Sequence, residues 1–182
     1  MRRKDREITD FEQITAVIEK GEICRIAMND EYPYIVPLNY GYQLENGTVT
    51  LYFHSACEGR KIELLRKNPK IGFEIDLAHE LTYDASKGSC SMLYESVMGH
   101  GTVEFLEGNE KLNGLKCILK HYGRGDDFTF VPTLLDRTLV FKIECVDLTG
   151  KKTLEAVFFL IFSFCVVFSW CIIDYTFPGK ED

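Results

Sequence analysis

The stretch LYFHSACEGRKIELLRKNPKIGFEID (residues 51–76) runs through a strand, a small polar loop, a short helix and a second strand. In the first strand Leu51 and Phe53 alternate with Tyr52 and His54, a period of two that gives the strand two different faces. The apolar face predicts burial in a core. The other face carries His54 at the point where the strand breaks into the loop.

The helix in this stretch starts with two cations, Arg60 and Lys61, directly after Gly59. Ile62 and Leu65 recur at helical spacing, and an Asn-Pro pair ends the helix. Cations are unfavourable at a helix start because the unpaired N–H groups there carry a partial positive charge. Two interpretations stay open. One is a solvated basic turn; the other is a phosphate site, in which Gly59 lets the backbone come close to the anion.

The flanking sequence predicts a β-rich α+β domain. About six runs of alternating or β-branched residues read as strands, and Asn46-Gly47 is a strong hairpin signal between two of them. The segment from His79 to Ser91 is polar and reads as a long irregular loop. We therefore expect a closed or partly closed barrel that ends near Lys152.

Two amphipathic segments predict helices beside the barrel. Residues 10–21 start with Asp10 as a cap, carry Phe11, Ile14 and Ile18 on one face, and stop at Gly21. Residues 110–123 repeat leucine and isoleucine at helical spacing. Both patterns predict a helix with one apolar side packed on the sheet.

Composition narrows the function. The net charge of −7 argues against a general nucleic-acid binder, whose affinity depends on neutralising many phosphates. The seven cysteines form no C-x-x-C pair and predict reduced, buried thiols. The four histidines lack metal-ligand spacing, so no metal site is expected.

Aromatic side chains and one proline lie near the basic turn. Pro37 cannot donate to a strand ladder, so its strand is an edge or is interrupted there, which leaves backbone groups near Leu38 and Asn39 available to a ligand. Flat rings that could lie beside a planar ligand, or simply pack in the barrel, come from Tyr34, Tyr40, Tyr42 and Tyr52.

These motifs occur in a recognisable order: ICRIAMND, YPYIVPLNYGY, the stretch at 51–76, SVMGHGTVEF and VFKIECVDLTGKK. The chain resembles the FMN-binding split-barrel family related to pyridoxamine 5′-phosphate oxidase, and within it the Nim-type flavoproteins of 5-nitroimidazole resistance. The resemblance covers residues 1–152. It implies a six-stranded antiparallel split barrel with flanking helices, assembled as a homodimer with FMN at the subunit interface.

The resemblance also implies site residues. Arg60 and Lys61 match the cations that hold the flavin phosphate, and His54 matches a histidine close to the flavin. The other positions implied as cofactor-binding are Pro37, Leu38, Asn39, Tyr52, Gly59, Ser96 and His100. The basic residues with which the oxidase binds pyridoxal phosphate have no convincing match, which puts true pyridoxamine oxidase activity in doubt.

The implied activity is that of an FMN-dependent oxidoreductase. A nicotinamide or a protein donor would reduce the flavin, which would reduce a small flat acceptor such as a nitro-heteroaromatic compound. His54 would donate a proton or a hydrogen bond to the acceptor, or it is a strand-end histidine bonded to backbone. Two alternatives stay open: a non-catalytic flavin-binding or sensing protein, and a split barrel that uses haem or deazaflavin F420.

A second region, residues 153–182, follows the barrel. Its segment 156–173 contains 18 residues without a charge. As a helix rising about 1.5 Å per residue, it would span about 27 Å, close to a bilayer core. We expect a transmembrane helix that anchors a cytoplasmic domain, with Lys151 and Lys152 on the cytoplasmic side. A helix or strand pair buried against the barrel and a reading-frame extension remain alternatives.

Overall fold

The computed structural model describes residues 2–86, 88–125 and 128–153 of the 182-residue chain. The strands are β1 (Glu7–Ile8), β2 (Cys24–Met28), β3 (Tyr34–Leu38), β4 (Tyr40–Glu45), β5 (Thr48–Ala56), β6 (Lys70–Asp84), β7 (Ser89–Leu106), β8 (Thr138–Glu144) and β9 (Val146–Lys152). The helices are α1 (Phe11–Lys20), α2 (Arg60–Lys67), α3 (Gly108–His121) and α4 (Pro132–Asp136), after a 3-10 turn at Lys4–Arg6.

The nine strands of the described residues belong to one sheet, and every pairing among them is antiparallel. Its main path runs β3-β2-β6-β7-β8-β5-β4, and β9 pairs with both β1 and β7. The path branches at β7, which pairs with β9 along its middle and with β8 at its end. Inward side chains from both parts of the sheet, such as Ile26, Ile75, Phe53 and Phe141, share one buried cluster. The sheet therefore curves around a single main core, and the β-rich α+β class is confirmed.

The sheet has nine strands rather than the expected six because two predicted strands are each split. The run 33–45 divides at Asn39 into β3 and β4, which lie at opposite ends of the path. The run 138–148 divides at Cys145 into β8 and β9, and Asp147 just after the break has a positive φ of 51°. The short β1, which pairs with β9, adds the ninth strand.

The prediction of a long loop from His79 to Ser91 is wrong. β6 continues to Asp84 and pairs with β7 as far as Ser89, after a register shift between Leu77 and Glu80. The alternation is broken by this bulge, where Ala78 has a φ of 58°. Apolar side chains beyond the bulge, including Leu81, point into solvent, which is why the segment reads as irregular.

The two predicted amphipathic helices are present. Asp10 caps α1 by accepting from the backbone N–H of Glu12 at 3.0 Å, as expected. Ile14 and Ile18 are buried, whereas Phe11, expected on the same face, is exposed. The hydroxyl of the buried Tyr40 donates to the carbonyl of Ile18 at 2.5 Å and connects β4 to α1.

Helix α3 lies over β4, β5 and β8 and forms a second small core. Leu115 and Ile118 pack there against Leu106 and Val140. The approach is close because Gly41 faces the helix: a Cβ at this position would lie 2.3 Å from the backbone nitrogen of Ile118. The outer face of β5, which carries His54, is therefore beside α3.

The predicted membrane helix at 156–173 lies outside the described residues and stays a prediction. Among the residues that are described, none of the helices has the length and apolar character needed to cross a bilayer.

Candidate functional site

The loop between β5 and α2 ends on a glycine that no other residue replaces easily. Gly59 is the N-cap of α2 with φ 114° and ψ 166°, a conformation essentially restricted to glycine. Its carbonyl accepts from the backbone N–H groups of Ile62 and Glu63 at 2.9 and 3.1 Å. A Cβ at Gly59 would meet no atom within 4 Å, so the helix start is open to an approaching group.

Arg60 is held by the protein itself. Its Nε and Nη2 donate to one carboxylate oxygen of Asp30 at 3.1 and 2.5 Å. The guanidinium also lies over the ring of Tyr34, 5.0 Å from the centroid. The hydrogen bond from Arg60 is the main cause that lowers the pKa of Asp30. These contacts connect the start of α2 to the start of β3.

Lys61 differs from Arg60 because no acidic side chain in the described ranges is paired with it. The residue is half-buried, and burial lowers the pKa of its ammonium group. Among the described residues, Lys61 has no ion-pair or hydrogen-bond partner. A partly desolvated cation at an electropositive helix start is a site at which an anion is favoured.

His54 lies on the outer face of β5, opposite Val140 of β8. Solvent still reaches the His54 ring. Partial desolvation by the surrounding protein is the main cause that lowers the pKa of His54, and the charge of Lys61 is the second cause. The ring lines a cavity of about 260 Å³ between β5, α3 and α4. The imidazole is therefore favoured in its neutral form.

Tyr52 lies on the same face of β5 as His54, two residues earlier. Its hydroxyl donates to Oε1 of Gln43 at 2.8 Å, and its ring packs against the small core under α3. Burial raises the pKa of this hydroxyl. The structure thus places Tyr52 in the contact between β5 and α3.

β3 is the strand at one end of the main sheet path, and Pro37 predicts such an edge strand. Pro37 is exposed and lies opposite Arg25, whereas Leu38 packs against the main core. Just beyond the strand, the side-chain amide of Asn39 donates to the hydroxyl of Tyr122 at 3.1 Å. Tyr122 directly follows α3, so the end of α3 helps to position the end of β3.

Tyr122 is a positioning residue that sequence reasoning missed. Its hydroxyl also accepts from the backbone N–H of Tyr40 at 3.2 Å and donates to the carbonyl of Glu22 at 2.5 Å. The sequence shows only a tyrosine on the apolar side of α3. Its role depends on contacts with residues about 80 to 100 positions away, which no local pattern contains.

Ser96 and His100 lie on the outward face of the part of the sheet formed by β3, β2, β6, β7 and β9. Register places Ile35, Ala27, Gly72 and His100 in one row across this face. The neighbouring rows are Pro37, Arg25, Glu74 and Met98, and then Asp76, Ser96 and Lys151. Although apolar, Ile35 is 58% exposed. Pro37, Ser96 and His100 therefore share one open face.

The predicted residues fall into separate groups within one chain. His54 lines the 260 Å³ cavity and lies near Lys61, while His100 lines a different groove of about 700 Å³ with Gly72 and Thr102. These two concavities share no lining residue. The Nε2 atom of His100 lies 3.4 Å from a carboxylate oxygen of Asp147. A single chain does not bring all ten predicted positions into one pocket.

Known proteins resemble the chain in both sequence and structure. A crystal structure of a proposed 5-nitroimidazole antibiotic resistance protein from Bacteroides thetaiotaomicron VPI-5482 is 36% identical, with a TM-score of 0.71; the match covers 80% of this chain and 86% of that chain. The FAD and haem binding protein from Mycobacterium smegmatis is 15% identical, with a TM-score of 0.71 over 97% of this chain and 89% of that one. At this identity the likeness shows the fold alone.

A curated relative and a family model complete the comparison. An uncharacterised protein of Rhizobium meliloti (strain 1021) is 35% identical over 65 residues, which are 35% of this chain and 40% of that protein. The chain thus matches about two fifths of the length of this relative. The sequence model described as pyridoxamine 5′-phosphate oxidase matches residues 10–152, most of the chain. With the 36% identical structure, this match shows that the chain belongs to the pyridoxamine 5′-phosphate oxidase family.

Proposed function

We propose that this protein is a flavin-dependent oxidoreductase that binds FMN and reduces small flat acceptors such as nitro-heteroaromatic compounds. The observation that carries the proposal is Lys61, a half-buried cation without an acidic partner in the described ranges, at the start of α2 and close to His54. A relative of known structure gives the proposal its direction, since that protein is named for nitroimidazole resistance.

The start of α2 suits a phosphate. Its N–H groups and the ammonium of Lys61 would donate to the anion, and the absence of a side chain at Gly59 leaves the approach open. Arg60 uses Nε and Nη2 on Asp30, which leaves Nη1 to donate. Asp30 then acts as a support that orients the guanidinium.

The isoalloxazine ring would lie along the end of β3. From Tyr34, under Arg60, to Leu38 the strand advances roughly 13 Å, a span that an extended FMN molecule covers. The amide nitrogen of Asn39 is bonded to Tyr122, so its carbonyl oxygen is left to accept from the ring N3–H of the flavin. Pro37 and Leu38 would supply the surface beside the ring. Tyr52 would hold β5 in place, since its hydroxyl is bonded to Gln43 of β4.

We propose a homodimer in which the outward face of the sheet is shared. Ser96 and His100 lie on that face, apart from Lys61 and His54, so they would reach the flavin bound to a second copy. The exposed apolar side chain of Ile35 lies on the same face, and this arrangement would bury it. Each cofactor would then have residues from both copies around it.

When bound, FMN would take up two electrons from a nicotinamide or protein donor and deliver them to the acceptor. Reduction of a nitro group to a nitroso group by two electrons consumes two protons and releases water. The lowered pKa of His54 favours a neutral ring, whose N–H would donate a hydrogen bond to the nitro oxygen on which charge develops. The same lowered pKa favours the second candidate, a flavin-binding protein without turnover, because it leaves little protonated imidazole at neutral pH.

Binding of FMN and of riboflavin, which lacks the phosphate, tests the cofactor assignment. We expect FMN to bind more tightly than riboflavin, and Lys61→Gln to remove roughly tenfold to hundredfold of FMN affinity, the effect of one charge-assisted hydrogen bond. Riboflavin binding should be unchanged. Lys67→Gln, in the last turn of the same helix, is the matched control. Fluorescence titration measures all of these, and equal losses for both flavins would contradict a phosphate at Lys61.

Two further measurements separate the alternatives. NADH consumption with a nitroimidazole acceptor, measured on purified FMN-loaded protein, distinguishes an enzyme from a binding protein. The mass of the chromophore extracted from the purified protein distinguishes FMN from haem or deazaflavin F420. A colourless protein that refuses added FMN would exclude the proposed function.

A further inference from the structure

The hydroxyl group of Tyr122 uses all of its hydrogen-bonding capacity. A tyrosine hydroxyl has one proton to donate and two lone pairs with which to accept. The proton is donated to the carbonyl of Glu22 at 2.5 Å. The oxygen accepts from the backbone N–H of Tyr40 at 3.2 Å and from the side-chain amide of Asn39 at 3.1 Å. One hydroxyl therefore joins the end of β3 and the start of β4 to the loop after α1.

The partners of this hydroxyl determine the direction of the Asn39 amide. The carbonyl of Glu22 can only accept, so the phenolic proton is committed to it, and the backbone N–H of Tyr40 can only donate. An amide oxygen of Asn39 beside the hydroxyl would face a second acceptor, so the group there must be the nitrogen. The side-chain oxygen of Asn39 is then turned away from Tyr122, and it has no hydrogen-bond partner in the described ranges.

Tyr122 is itself held in place by the end of α3. Its backbone N–H donates to the carbonyl of Leu119 at 3.2 Å, and its ring meets the ring of His121 edge to face, with centroids 4.9 Å apart. The Nε2 atom of His121 lies 2.7 Å from the carbonyl oxygen of Gly21. Two consecutive side chains of α3 are thus bonded to two consecutive carbonyls after α1. The hydroxyl is fixed by these contacts and in turn holds the amide.

We infer that Tyr122 is a positioning residue that makes the end of β3 specific for a ring with an N–H donor. The inference rests on the proposed function, because it concerns the flavin that this site would hold. With its amide fixed, Asn39 presents an acceptor only. The N–H at ring position 3 of FMN would donate to that oxygen, whereas a ring alkylated at this nitrogen has no proton to give. Tyr122 would act through Asn39 and would not touch the cofactor.

Loss of the hydroxyl should change selectivity more than it changes affinity in general. In Tyr122→Phe the amide of Asn39 is free to turn over and to present its nitrogen instead of its oxygen. The turned amide would donate to the ring carbonyls that flank the alkylated nitrogen, so the alkylated ring would no longer be rejected. A purely structural role of Tyr122 would instead weaken the binding of both rings equally.

Two flavins and four variants test the inference. FMN and 3-methyl-FMN are titrated by fluorescence into the full-length wild-type protein, Tyr122→Phe, Asn39→Ala and the double variant. Tyr83→Phe is the matched control, because Tyr83 is 72% exposed on the β6–β7 hairpin. Asn39 is exposed in the single chain, so Asn39→Ala keeps the test valid if Tyr122→Phe does not fold.

We expect the wild type and Tyr83→Phe to bind FMN roughly tenfold more tightly than 3-methyl-FMN, the effect of one hydrogen bond and of an acceptor left unpaired. This ratio should fall below about threefold in Tyr122→Phe and in Asn39→Ala. The double variant should show no further fall, because both substitutions remove the same recognition. A wild-type ratio near one, an unchanged ratio in either single variant, or equal weakening of both flavins in Tyr122→Phe would overturn the inference.

The NMR signals of the Asn39 side-chain amide protons, assigned with Asn39→Ala, give a readout that needs no flavin. Loss of the hydrogen bond in Tyr122→Phe should shift them, and Tyr83→Phe should leave them in place. Unmoved signals in Tyr122→Phe would overturn the inference, and in protein that binds FMN they would leave the proposed function intact. Shifted signals in protein that binds no flavin would overturn the proposed function, and the ring specificity with it.

Discussion

At the scale of single residues, two adjacent cations have different surroundings. Arg60 is paired with Asp30, while Lys61 is half-buried and has no acidic partner among the residues described. The sequence treats them alike, as two positive charges at an unfavourable helix position. Only the fold shows that Asp30, thirty residues earlier, is paired with Arg60. The case for a bound anion therefore depends chiefly on Lys61.

The titration of His54 is the first prediction at this scale. Its pKa is lowered mainly by desolvation and secondly by Lys61. We therefore expect Lys61→Gln to raise the pKa of His54 while leaving it below the ordinary value of about 6.5. NMR titration of the histidine ring protons measures the shift, and Lys116→Gln on the exposed side of α3 is the control. No rise in Lys61→Gln would show that the two side chains do not interact.

The same lowered pKa has a consequence for stability. The folded protein holds its His54 proton less tightly than the unfolded chain, so the unfolded state binds more protons below the unfolded pKa. The free energy of unfolding therefore falls as pH drops from about 6.5 through the lower folded-state pKa. His54→Gln should flatten this part of the profile.

At the scale of elements, the unit β5–loop–α2 depends on the backbone of Gly59. Its φ of 114° and ψ of 166° direct the chain from the loop after β5 into α2. The alternation in β5 and the helical spacing in α2 were readable from sequence, and both elements are confirmed. The conformation that joins them was indicated only by the glycine itself.

We expect Gly59→Ala to lower the free energy of unfolding by about 1–3 kcal/mol, because alanine is strained in this backbone region. Since no atom lies within 4 Å of an added Cβ, strain rather than collision would cause the loss. Urea denaturation measures it. Glu58→Ala, at the exposed preceding position, should stay within about 0.5 kcal/mol of the wild type. A Gly59→Ala protein as stable as the Glu58→Ala control would show that the loop relaxes at no expense.

The β6–β7 hairpin shows where element prediction failed. Strand prediction from alternation assumes that one face is buried, and beyond the bulge at Leu77–Glu80 neither face of the hairpin enters the core. Leu81 and Tyr83 are largely exposed, while the pairing itself continues to Asp84. Backbone hydrogen bonds between β6 and β7 hold the two strands together there. The pattern of apolar side chains in the sequence does not reveal this pairing.

At the scale of the whole molecule, the proposed dimer predicts the effect of a charge on the open sheet face. Ile35→Lys would bury an unpaired cation in the interface, so we expect it to convert a dimer into a monomer and to weaken FMN binding, since the partner's share of the site is lost. Leu44→Lys is the control, because Leu44 is 45% exposed on the strand at the other end of the sheet path. Size-exclusion chromatography with light scattering gives the masses. A wild-type monomer, or a dimer that Ile35→Lys leaves intact, would contradict this interface.

Sequence alone determined the elements whose signals are local: the Asp10 cap of α1, the Asn46-Gly47 hairpin, and the strand–glycine–cation–helix unit. Such signals arise from backbone geometry and from period, which neighbouring residues specify. Tertiary structure decided which side chains meet. It placed Asp30 on Arg60, Tyr122 on Asn39 and α3 over His54, contacts that curvature of the sheet creates between distant segments.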